Sequence, residues 1–413
     1  MSVFLLSQRT AINYFHQTSH LFISRSFSSK LLKIAFCGSD LFSIHSFKAL
    51  LQYAATPQAI QSIDLITRKP KPAGRGRKTI ATVPILEQLP ELQQIYSSTG
   101  PIQTHTPEST KEFLDIQAAR NFDIVIAVSY GKLIPHQFIA ALPYGGLNVH
   151  PSLLPKYSGA SPLHMALLNR DPYTGVTVQT LHPTKFDRGD ILFQSPELPL
   201  PQLLNQNHLS SLTSDEAILA ADSPLAAITD TLGVVGAQAL VHVIKNGLYE
   251  SPANNKLTPK YDYSYAPRIP STAAEIHLSS MDTTTILVNN KVLGPLYIFQ
   301  ETIPPLSKKM KKKLGNETSV PVPKRVQLHL LENASQSFPN EFPEQATQMA
   351  LGDYFLTHIT DKSTESDSAL VFKTSDGFIA ARQIKSEGYA ACSAYQLALS
   401  MKKRGIFRNS FIL

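Results

Sequence analysis

Apolar segments that alternate with segments of helical spacing constrain the fold of this chain more than any other feature. Residues 32–37, 63–67 and 124–128 are largely apolar runs of strand length, and stretches with apolar residues every three or four positions separate them. Strands that alternate with helices favour a parallel sheet with right-handed crossovers, because each parallel connection needs a long return path. We therefore predict a Rossmann-like α/β domain over residues 30–250. The same patterns predict a strand at 102–106 and helices from Ser39 or Asp40 to Leu51 and over 84–92, 107–120 and 229–245.

The second half of the chain differs in composition and in the spacing of its apolar runs. A chain of 413 residues exceeds one ordinary core. Residues 251–270 contain four prolines and three tyrosines, which predicts a linker, whereas residues 195–225 are interpreted as an irregular insertion of unknown purpose. Short apolar runs after residue 270 predict a small antiparallel OB-like β-barrel over 271–413, a fold that presents a charged face to nucleic acid. Its predicted strands lie at 284–288, 296–298, 326–330, 354–358, 370–372 and 377–384.

The amino terminus has the composition of a targeting segment. Residues 1–29 contain Arg9 and Arg25, many hydroxyl side chains and no acid, and the first carboxylate is Asp40. We interpret 1–29 as a transit peptide for the mitochondrial matrix. A disordered cytosolic tail is the alternative. Since no apolar run approaches the roughly 18 residues of a spanning helix, we expect a soluble monomer without a membrane partner.

Charge and cysteine content narrow the possible partners. The net charge of +7 points to a polyanion such as RNA, although an acidic membrane surface would fit equally well. Only two cysteines are present, Cys37 and Cys392. They argue against a disulfide scaffold and against a zinc site built on cysteine, and we expect no metal.

The candidate chemistry lies between Gly145 and Gln194. Asn148 and His150 are two residues apart in a predicted strand, so both side chains leave the same face. A proline-flanked turn follows this strand, and a Gly-Asp turn downstream supplies a carboxylate, Asp187 or Asp190. Acyl transfer between nitrogens needs a donor for the carbonyl oxygen and a proton carrier, and Asn148, His150 and Asp187 supply both. The alternative assigns them to a strand end, a half-buried histidine and a turn.

These residues carry a resemblance to a known family. The run Asn-Val-His-Pro-Ser-Leu-Leu-Pro at 148–155, followed by 174–177 and by Asp-Arg-Gly-Asp at 187–190, resembles the folate-dependent formyltransferases. The resemblance implies that Asn148, His150 and Asp187 are catalytic and that 10-formyltetrahydrofolate is the formyl donor. Lys156-Tyr157-Ser158 departs from the family's basic-Trp-Arg run, and the stretch before Asp187 is one residue longer. The donor-binding residues that the resemblance implies are Ser152, Leu153, Leu154 and Pro155, with Ser129, Tyr130 and Gly131.

A basic segment is the candidate nucleic-acid contact. Residues 68–78 contain six cations and no acid, interrupted by prolines and glycines. Such loops neutralise phosphates. The segment resembles the loop with which tRNA-dependent members of the family approach the acceptor stem, which implies methionyl initiator tRNA as the partner; a solvated surface loop is the alternative. The implied tRNA-binding residues are Arg68, Lys71, Arg75, Arg77 and Lys78.

The expected function is therefore formyl transfer to the amino group of methionyl initiator tRNA for mitochondrial translation. Two alternatives stay open. One is formyl transfer to a small-molecule amine, which would use the same three residues; the other is a non-catalytic RNA-binding protein of the same fold. The lysine-rich run 308–313 has no assigned role and is equally well explained as a solvated surface.

Overall fold

The computed structural model describes residues 31–55, 60–73, 76, 78–204, 212–302, 322–338, 349–351, 353–357 and 368–403. The chain divides into two compact units after Arg268. The transit peptide predicted at 1–29 and the lysine-rich run at 308–313 lie outside the described residues. Most of the segment expected as a linker belongs to the first unit, since a short strand within it pairs with another strand of that unit.

The described residues of the first unit form thirteen strands in chain order. They are β1 (Leu32–Gly38), β2 (Ile60–Ile66), β3 (Lys71–Ala73), β4 (Thr79–Ala81), β5 (Thr104–His105), β6 (Ile124–Val128), β7 (Gly146–His150), β8 (Ser158–Gly159), β9 (Tyr173–Thr174), β10 (Thr177–Thr180), β11 (Ile191–Gln194), β12 (Leu198–Pro199) and β13 (Tyr265–Ala266). The helices are α1 (Leu41–Ala54), α2 (Pro84–Ile95), α3 (Thr110–Arg120), α4 (His136–Ala140), α5 (Pro162–Leu168), α6 (Leu200–Leu204), α7 (Ser214–Ala220), α8 (Pro224–Lys245) and α9 (Pro252–Asn255).

A seven-stranded sheet forms the centre of this unit, in the order β11-β10-β7-β6-β1-β2-β5. The five strands from β7 to β5 pair in parallel, and β10 and β11 add an antiparallel edge. All five residues of β6 are buried, as expected for a strand covered on both faces. The predicted α/β fold with a mostly parallel sheet is confirmed. Asp40 caps α1 by accepting a hydrogen bond from the Ser43 amide, so the predicted helix start is correct.

Helix α8 covers one face of the sheet and packs against α1. By length and composition it is apolar enough to cross a membrane, but 61% of that apolar window is buried inside the protein. Two glycines permit the close approach. A Cβ atom at Gly233 would lie 2.4 Å from Cδ2 of His45, and one at Gly236 would lie 2.9 Å from Cγ1 of Val149 on β7. The helix therefore backs the strand that carries Asn148 and His150.

Residues 195–225 are more regular than predicted. The described part of this stretch contains β12, α6, α7 and the first residues of α8. Thr213 caps α7 through a capping box with Glu216, and this local signal marks a helix start within a stretch that looked irregular because of its prolines. Helix α8 begins at Pro224, five residues before the predicted start at 229, because proline suits the first turn of a helix.

The second unit is built on an antiparallel sheet. Its strands are β14 (Leu296–Thr302), β15 (Val322–Asn333), β16 (Tyr354–Leu356), β17 (Leu370–Lys373), β18 (Phe378–Ser386) and β19 (Cys392–Ser393), and its helices are α10 (Thr283–Leu293), α11 (Ala334–Ser337) and α12 (Ala394–Lys403). The pairing runs β14-β15-β18-β17-β16, with β19 beside β18. Among the strands described, no pairing closes this path, so the OB-like barrel stays a prediction.

The strand predicted at 284–288 is wrong, because these residues belong to α10. Asp282 accepts a hydrogen bond from the Thr285 amide at the start of the helix, and Gly294 ends it in a conformation with φ of 83°. Val288 and Val292, four residues apart, are both buried. The run of β-branched residues favours a strand locally, but the capping residues and the packing of one face override that preference.

Candidate active site

Strand β7 presents Asn148 and His150 on one face, as their spacing predicts. The strand lies between β6 and β10 in the sheet. On β10, Gln179 is paired with Asn148 and Thr177 with His150. His150 is 5% exposed, and Asn148 is half-buried. The parallel strands β6 and β7 end at the same edge of the sheet, where ligands bind in open α/β folds.

Asp187 is the carboxylate that meets these two side chains. Its Oδ1 accepts hydrogen bonds from Nδ2 of Asn148 and from Nε2 of Gln179, both at 3.2 Å, and lies 3.5 Å from Nδ1 of His150. Its Oδ2 accepts from the Gly159 amide at 2.8 Å. Asp190, the alternative, lies 3.8 Å from Nζ of Lys256, and its side chain is 44% exposed. The structure therefore brings together Asn148, His150 and Asp187.

The hydrogen bonds of His150 fix where its ring can take up a proton. Nε2 lies 2.9 Å from the carbonyl oxygen of Tyr157. A carbonyl oxygen only accepts, so Nε2 carries a hydrogen in this arrangement. Nδ1 then faces Oδ1 of Asp187. A further proton on the ring binds at Nδ1, between the imidazole and the carboxylate.

The side chains of Lys156 and Tyr157, where the chain departs from the family run, are held by their own contacts. Nζ of Lys156 lies 2.9 Å from a carboxylate oxygen of Asp171 and 5.0 Å from the centre of the Tyr157 ring. Burial raises the pKa of Tyr157 to about 12, and its hydroxyl oxygen accepts a hydrogen bond from Asn169. The tyrosine is thus held as a neutral, buried side chain while its carbonyl oxygen holds His150.

The turn after β7 is buried. Ser152, Leu153 and Leu154 are each at most 2% exposed, and the bond between Leu154 and Pro155 is cis. Thr177 holds the turn, because its hydroxyl donates to the carbonyl oxygen of Ser152 and accepts from the Leu154 amide. The Ser152 hydroxyl is also engaged within the turn, since it donates to the Lys156 carbonyl oxygen. The predicted donor-binding residues of this turn therefore form a fixed surface, and none of them has a free polar side chain.

The loop 129–131 follows β6 at the same edge of the sheet. Ser129 and Gly131 have φ values of 47° and 74°. Tyr130 is 3% exposed, and its hydroxyl bonds to none of the described residues. Burial raises the pKa of Asp40, and hydrogen bonds that include one from Ser129 oppose the rise. The loop therefore combines a left-handed backbone with a buried, unpartnered hydroxyl.

Arg68 lies against this loop. Its Nε donates to the Ser39 hydroxyl at 3.2 Å, and that hydroxyl donates to the Tyr130 carbonyl oxygen at 3.1 Å. A Cβ atom at Gly131 would lie 3.5 Å from Nη1 of Arg68, so the guanidinium packs on the glycine. Arg68 is one of the predicted tRNA-binding residues. It is half-buried and lies at the edge of the sheet.

The rest of the basic segment is more ordered than the loop expected there. Strands β3 and β4 form an antiparallel hairpin, in which Lys71 pairs with Ala81 and Ala73 with Thr79. Lys71 and Lys78 are exposed on this hairpin. Arg75 and Arg77 lie outside the described residues. The hairpin presents its described lysines to solvent, where phosphates can reach them.

Sequence reasoning missed Gln179 and Gly159, which hold Asp187. Gln179 is 2% exposed; its Nε2 donates to Asp187, and its Oε1 accepts from the Gly189 amide at 3.1 Å. Its position two residues after Thr177 predicts that both share a face. The pairing that sets Gln179 opposite Asn148 could not be inferred, because strand register depends on contacts between distant segments.

Metal ligands are not gathered in the part of the chain that the structure describes. No group of three or more histidine, cysteine or acidic side chains is close enough there to hold an ion. Cys37 is buried in β1, and burial raises the pKa of its thiol. Cys392 is a half-buried free thiol whose pKa burial also raises.

Known proteins resemble this chain in sequence and, more loosely, in structure. The model of the family described as "Formyl transferase" matches residues 32–207. A mitochondrial methionyl-tRNA formyltransferase from Saccharomyces cerevisiae is 35% identical over 285 residues, which are 65% of this chain and 70% of that protein. The methionyl-tRNA formyltransferase of Ehrlichia chaffeensis is 36% identical over 186 residues, which are 45% of this chain and 57% of that protein. HypX from Aquifex aeolicus in complex with tetrahydrofolic acid has a TM-score of 0.44 at 13% identity, covering 92% of this chain and 48% of that one.

The matched residues 32–207 include the central sheet, Asn148, His150 and Asp187. Fold and site together define a folate-dependent formyltransferase domain, which confirms the resemblance inferred from the sequence. The chain belongs to the methionyl-tRNA formyltransferase family, since it covers 70% of the yeast relative at 35% identity. It is a formyl-transferring enzyme.

Proposed function

We propose that this enzyme transfers the formyl group of 10-formyltetrahydrofolate to the amino group of methionyl initiator tRNA, as a monomer in the mitochondrial matrix. The observation that carries the chemistry is the contact of both Asn148 and His150 with one carboxylate oxygen of Asp187. The mitochondrial location is supported by the acid-free first 29 residues and by the mitochondrial yeast relative.

The reaction requires a new bond from the methionine nitrogen to the formyl carbon while the bond from that carbon to its original nitrogen breaks. The carbonyl oxygen gains negative charge during this exchange. One N–H of Asn148 is directed to Asp187, which fixes the plane of the amide and leaves its second N–H to donate to that oxygen. Asn148 therefore stabilises the developing charge.

Proton movement falls to His150 and Asp187. The attacking nitrogen must lose a proton, and the departing nitrogen must gain one. His150 takes up a proton at Nδ1, where Asp187 stabilises it, and the 3.5 Å separation of these atoms leaves the contact loose enough to exchange that proton. Asp187 also orients the ring of His150. In this proposal it aligns a water molecule that carries protons between the two nitrogens. No step in this scheme calls on a metal ion.

The donor would be held by the loop 129–131 and by the turn Ser152–Pro155. The position of the loop fits this assignment, because it follows β6 at the edge of the sheet where ligands bind in open α/β folds. The rigid turn would supply an apolar wall, since its own polar groups are satisfied within the protein.

The acceptor tRNA would be held by positive charge. Lys71 and Lys78 are exposed on the hairpin, and we include Arg68, Arg75 and Arg77 in the contact. Phosphate binding by such a group does not depend on base sequence. The second unit, which we propose as the OB-like tRNA-binding domain of residues 271–413, would add contacts of the same kind.

The test is a reconstituted reaction with purified protein, labelled 10-formyltetrahydrofolate and methionyl initiator tRNA. We expect label on the methionine amino group, and we expect His150→Ala to lose about two to four orders of magnitude in turnover while it still binds tRNA. Label on a nucleotide sugar or another small amine, with none on tRNA, would assign the site to small-molecule formylation. Binding of tRNA without transfer would leave the non-catalytic alternative.

A further inference from the structure

Beside Asp187 lies a group of exposed flat side chains that the proposed mechanism does not use. Phe186 is 68% exposed, Tyr263 is 50% exposed and Tyr265 is 60% exposed, and the exposed Arg188 follows Phe186 by two residues. We name these four residues the aromatic platform. Large aromatic side chains are costly to leave in water, and their clustering on a surface indicates a binding role.

Two contacts join the platform to the candidate active site. Arg188 directly follows Asp187, and its Cζ lies 4.0 Å from the centre of the Tyr263 ring. A Cβ atom at Gly159 would lie 2.8 Å from Cε2 of Tyr265, so this ring rests on the glycine whose amide holds Asp187. A ligand on the platform would therefore lie next to Asp187.

The platform is fixed in place by the backbone. Strand β13 pairs with β8, with Tyr265 opposite Ser158 and Ala266 opposite Gly159. The Ser158 amide donates to the Ser264 carbonyl oxygen at 2.9 Å, and the Tyr157 amide donates to the Ser264 hydroxyl at 2.9 Å. Rigid aromatic surfaces lose little conformational entropy when they bind, which favours stacking.

The order of the strands separates the platform from the proposed donor site. Arg188 lies in the connection between β10 and β11, whereas the loop 129–131 follows β6. Strand β7 stands between β10 and β6 in the sheet. Arg188 is thus on the other side of β7 from that loop, so the platform and the proposed donor loop are separate.

We propose that the aromatic platform stacks the unpaired nucleotides at the 3′ end of the acceptor RNA, and thereby delivers the aminoacyl group to Asp187 and His150. Nucleobases stack on tyrosine, phenylalanine and guanidinium planes without regard to base identity, and Arg188 adds a positive charge for the phosphates between them. This inference rests on the proposed function and names the residues that receive its acceptor.

Two readouts test the platform. The first is the KM for methionyl-tRNA, which we expect to rise about tenfold in Tyr263→Ala and in Arg188→Ala, because stacking contributes that order per base. Tyr263→Phe keeps the ring and is expected to keep the KM, and Arg188→Lys keeps the charge but not the planar group and is expected to raise it. The KM for 10-formyltetrahydrofolate is expected to stay unchanged.

The second readout needs no catalysis. We expect 2-aminopurine placed at the 3′-terminal nucleotide of the tRNA to lose fluorescence when the tRNA saturates the unaltered protein, and to regain it on Tyr263→Ala. Ile95→Ala is the control, since Ile95 is a 58% exposed apolar side chain at the end of α2, which has no assigned role in binding. The control variant is expected to quench the probe like the unaltered protein.

Each contrary result has a distinct meaning. Quenching that is equal in the unaltered protein and in Tyr263→Ala would overturn the platform even if formyl transfer is normal. A rise in the donor KM with an unchanged tRNA KM would overturn it by assigning the platform to the donor. Failure of the unaltered protein to formylate tRNA would overturn the proposed function, and the fluorescence measurement would still decide whether the 3′ end stacks.

Discussion

Nδ1 of His150 lies 3.5 Å from Oδ1 of Asp187, and the two residues come from parts of the chain that meet only through strand pairing. His150 ends β7, whereas Asp187 lies in the turn that leaves β10. The antiparallel pairing of these strands places Thr177 opposite His150 and Gln179 opposite Asn148. The register of two neighbouring strands therefore decides which carboxylate reaches the imidazole.

Asp187→Asn tests the role of that carboxylate. We expect kcat to fall at least about a hundredfold with little change in tRNA affinity, because the amide cannot stabilise a proton on Nδ1 of His150 as a carboxylate does. Single-turnover kinetics with preformed tRNA complex would measure the effect. Asp190→Asn is the matched control, three residues away, partly exposed and beside Lys256. Equal losses in both variants would remove Asp187 from its assigned role.

Gln179→Leu tests positioning without touching substrate. Gln179 holds Asp187 on one side and the Gly189 amide on the other, so its removal should loosen the turn. We expect kcat to fall about tenfold with an unchanged KM for tRNA, and the pH profile of kcat to change.

A buried glutamine elsewhere provides the comparison for that variant. Gln117 clamps the backbone of Phe122 through both ends of its amide, far along the chain from the candidate site. Gln117→Leu should lower the melting temperature and leave kcat unchanged. If the two glutamine variants lose activity in proportion to their decrease in stability, Gln179 has a structural role only.

The basic hairpin should contribute charge. Lys71→Ala and Lys78→Ala are each expected to weaken tRNA binding several-fold at low salt and to reduce the slope of log K against log salt by about 1 for each phosphate that is no longer neutralised. Filter binding over a range of salt concentrations measures both effects. Lys111→Ala on α3 is the control, since its side chain is 86% exposed. A slope that is the same in all variants would assign the hairpin lysines to solvent.

The ion pair of the buried Asp64 with Arg120 should make the free energy of unfolding depend on pH. Burial acts to raise the pKa of Asp64, but hydrogen bonds and charge from His105 and Arg120 outweigh it, so the net pKa is lowered. Nε and Nη2 of Arg120 each lie 2.7 Å from a carboxylate oxygen of Asp64, whose side chain is 1% exposed. A lowered folded pKa stabilises the protein above the unfolded value of about 4, and the stabilisation is lost as pH falls through the folded pKa.

Arg120→Ala measures this contribution. We expect the free energy of unfolding to drop by about 2 kcal/mol at pH 7, since a charge-assisted pair loses one partner, and the difference from the unaltered protein to shrink below about pH 4. Denaturant titrations at several pH values would follow it. Asp115→Asn breaks the exposed pair with Lys111 and should change stability little at every pH. A constant difference for Arg120→Ala down to about pH 3 would contradict the pKa assignment.

Local periodicity determined the α/β class and the common face of Asn148 and His150. Both depend on patterns within a few residues, and alternation along a strand is a property of the backbone itself. The basic segment was also recognised from composition alone, although its hairpin was not. The sequence also predicted a strand where α10 forms, because capping by Asp282 and packing of one helix face outweigh the preference of β-branched residues.

Only the tertiary structure decided between Asp187 and Asp190. The two carboxylates lie in one turn and look alike in the sequence, but the left-handed backbone at Asp187, with φ of 51°, and the amides of Asn148, Gln179 and Gly159 draw one of them inward. Such a choice depends on hydrogen bonds between segments that are distant in the chain. No local pattern encodes them, because they exist only once β7, β8 and β10 have paired and packed.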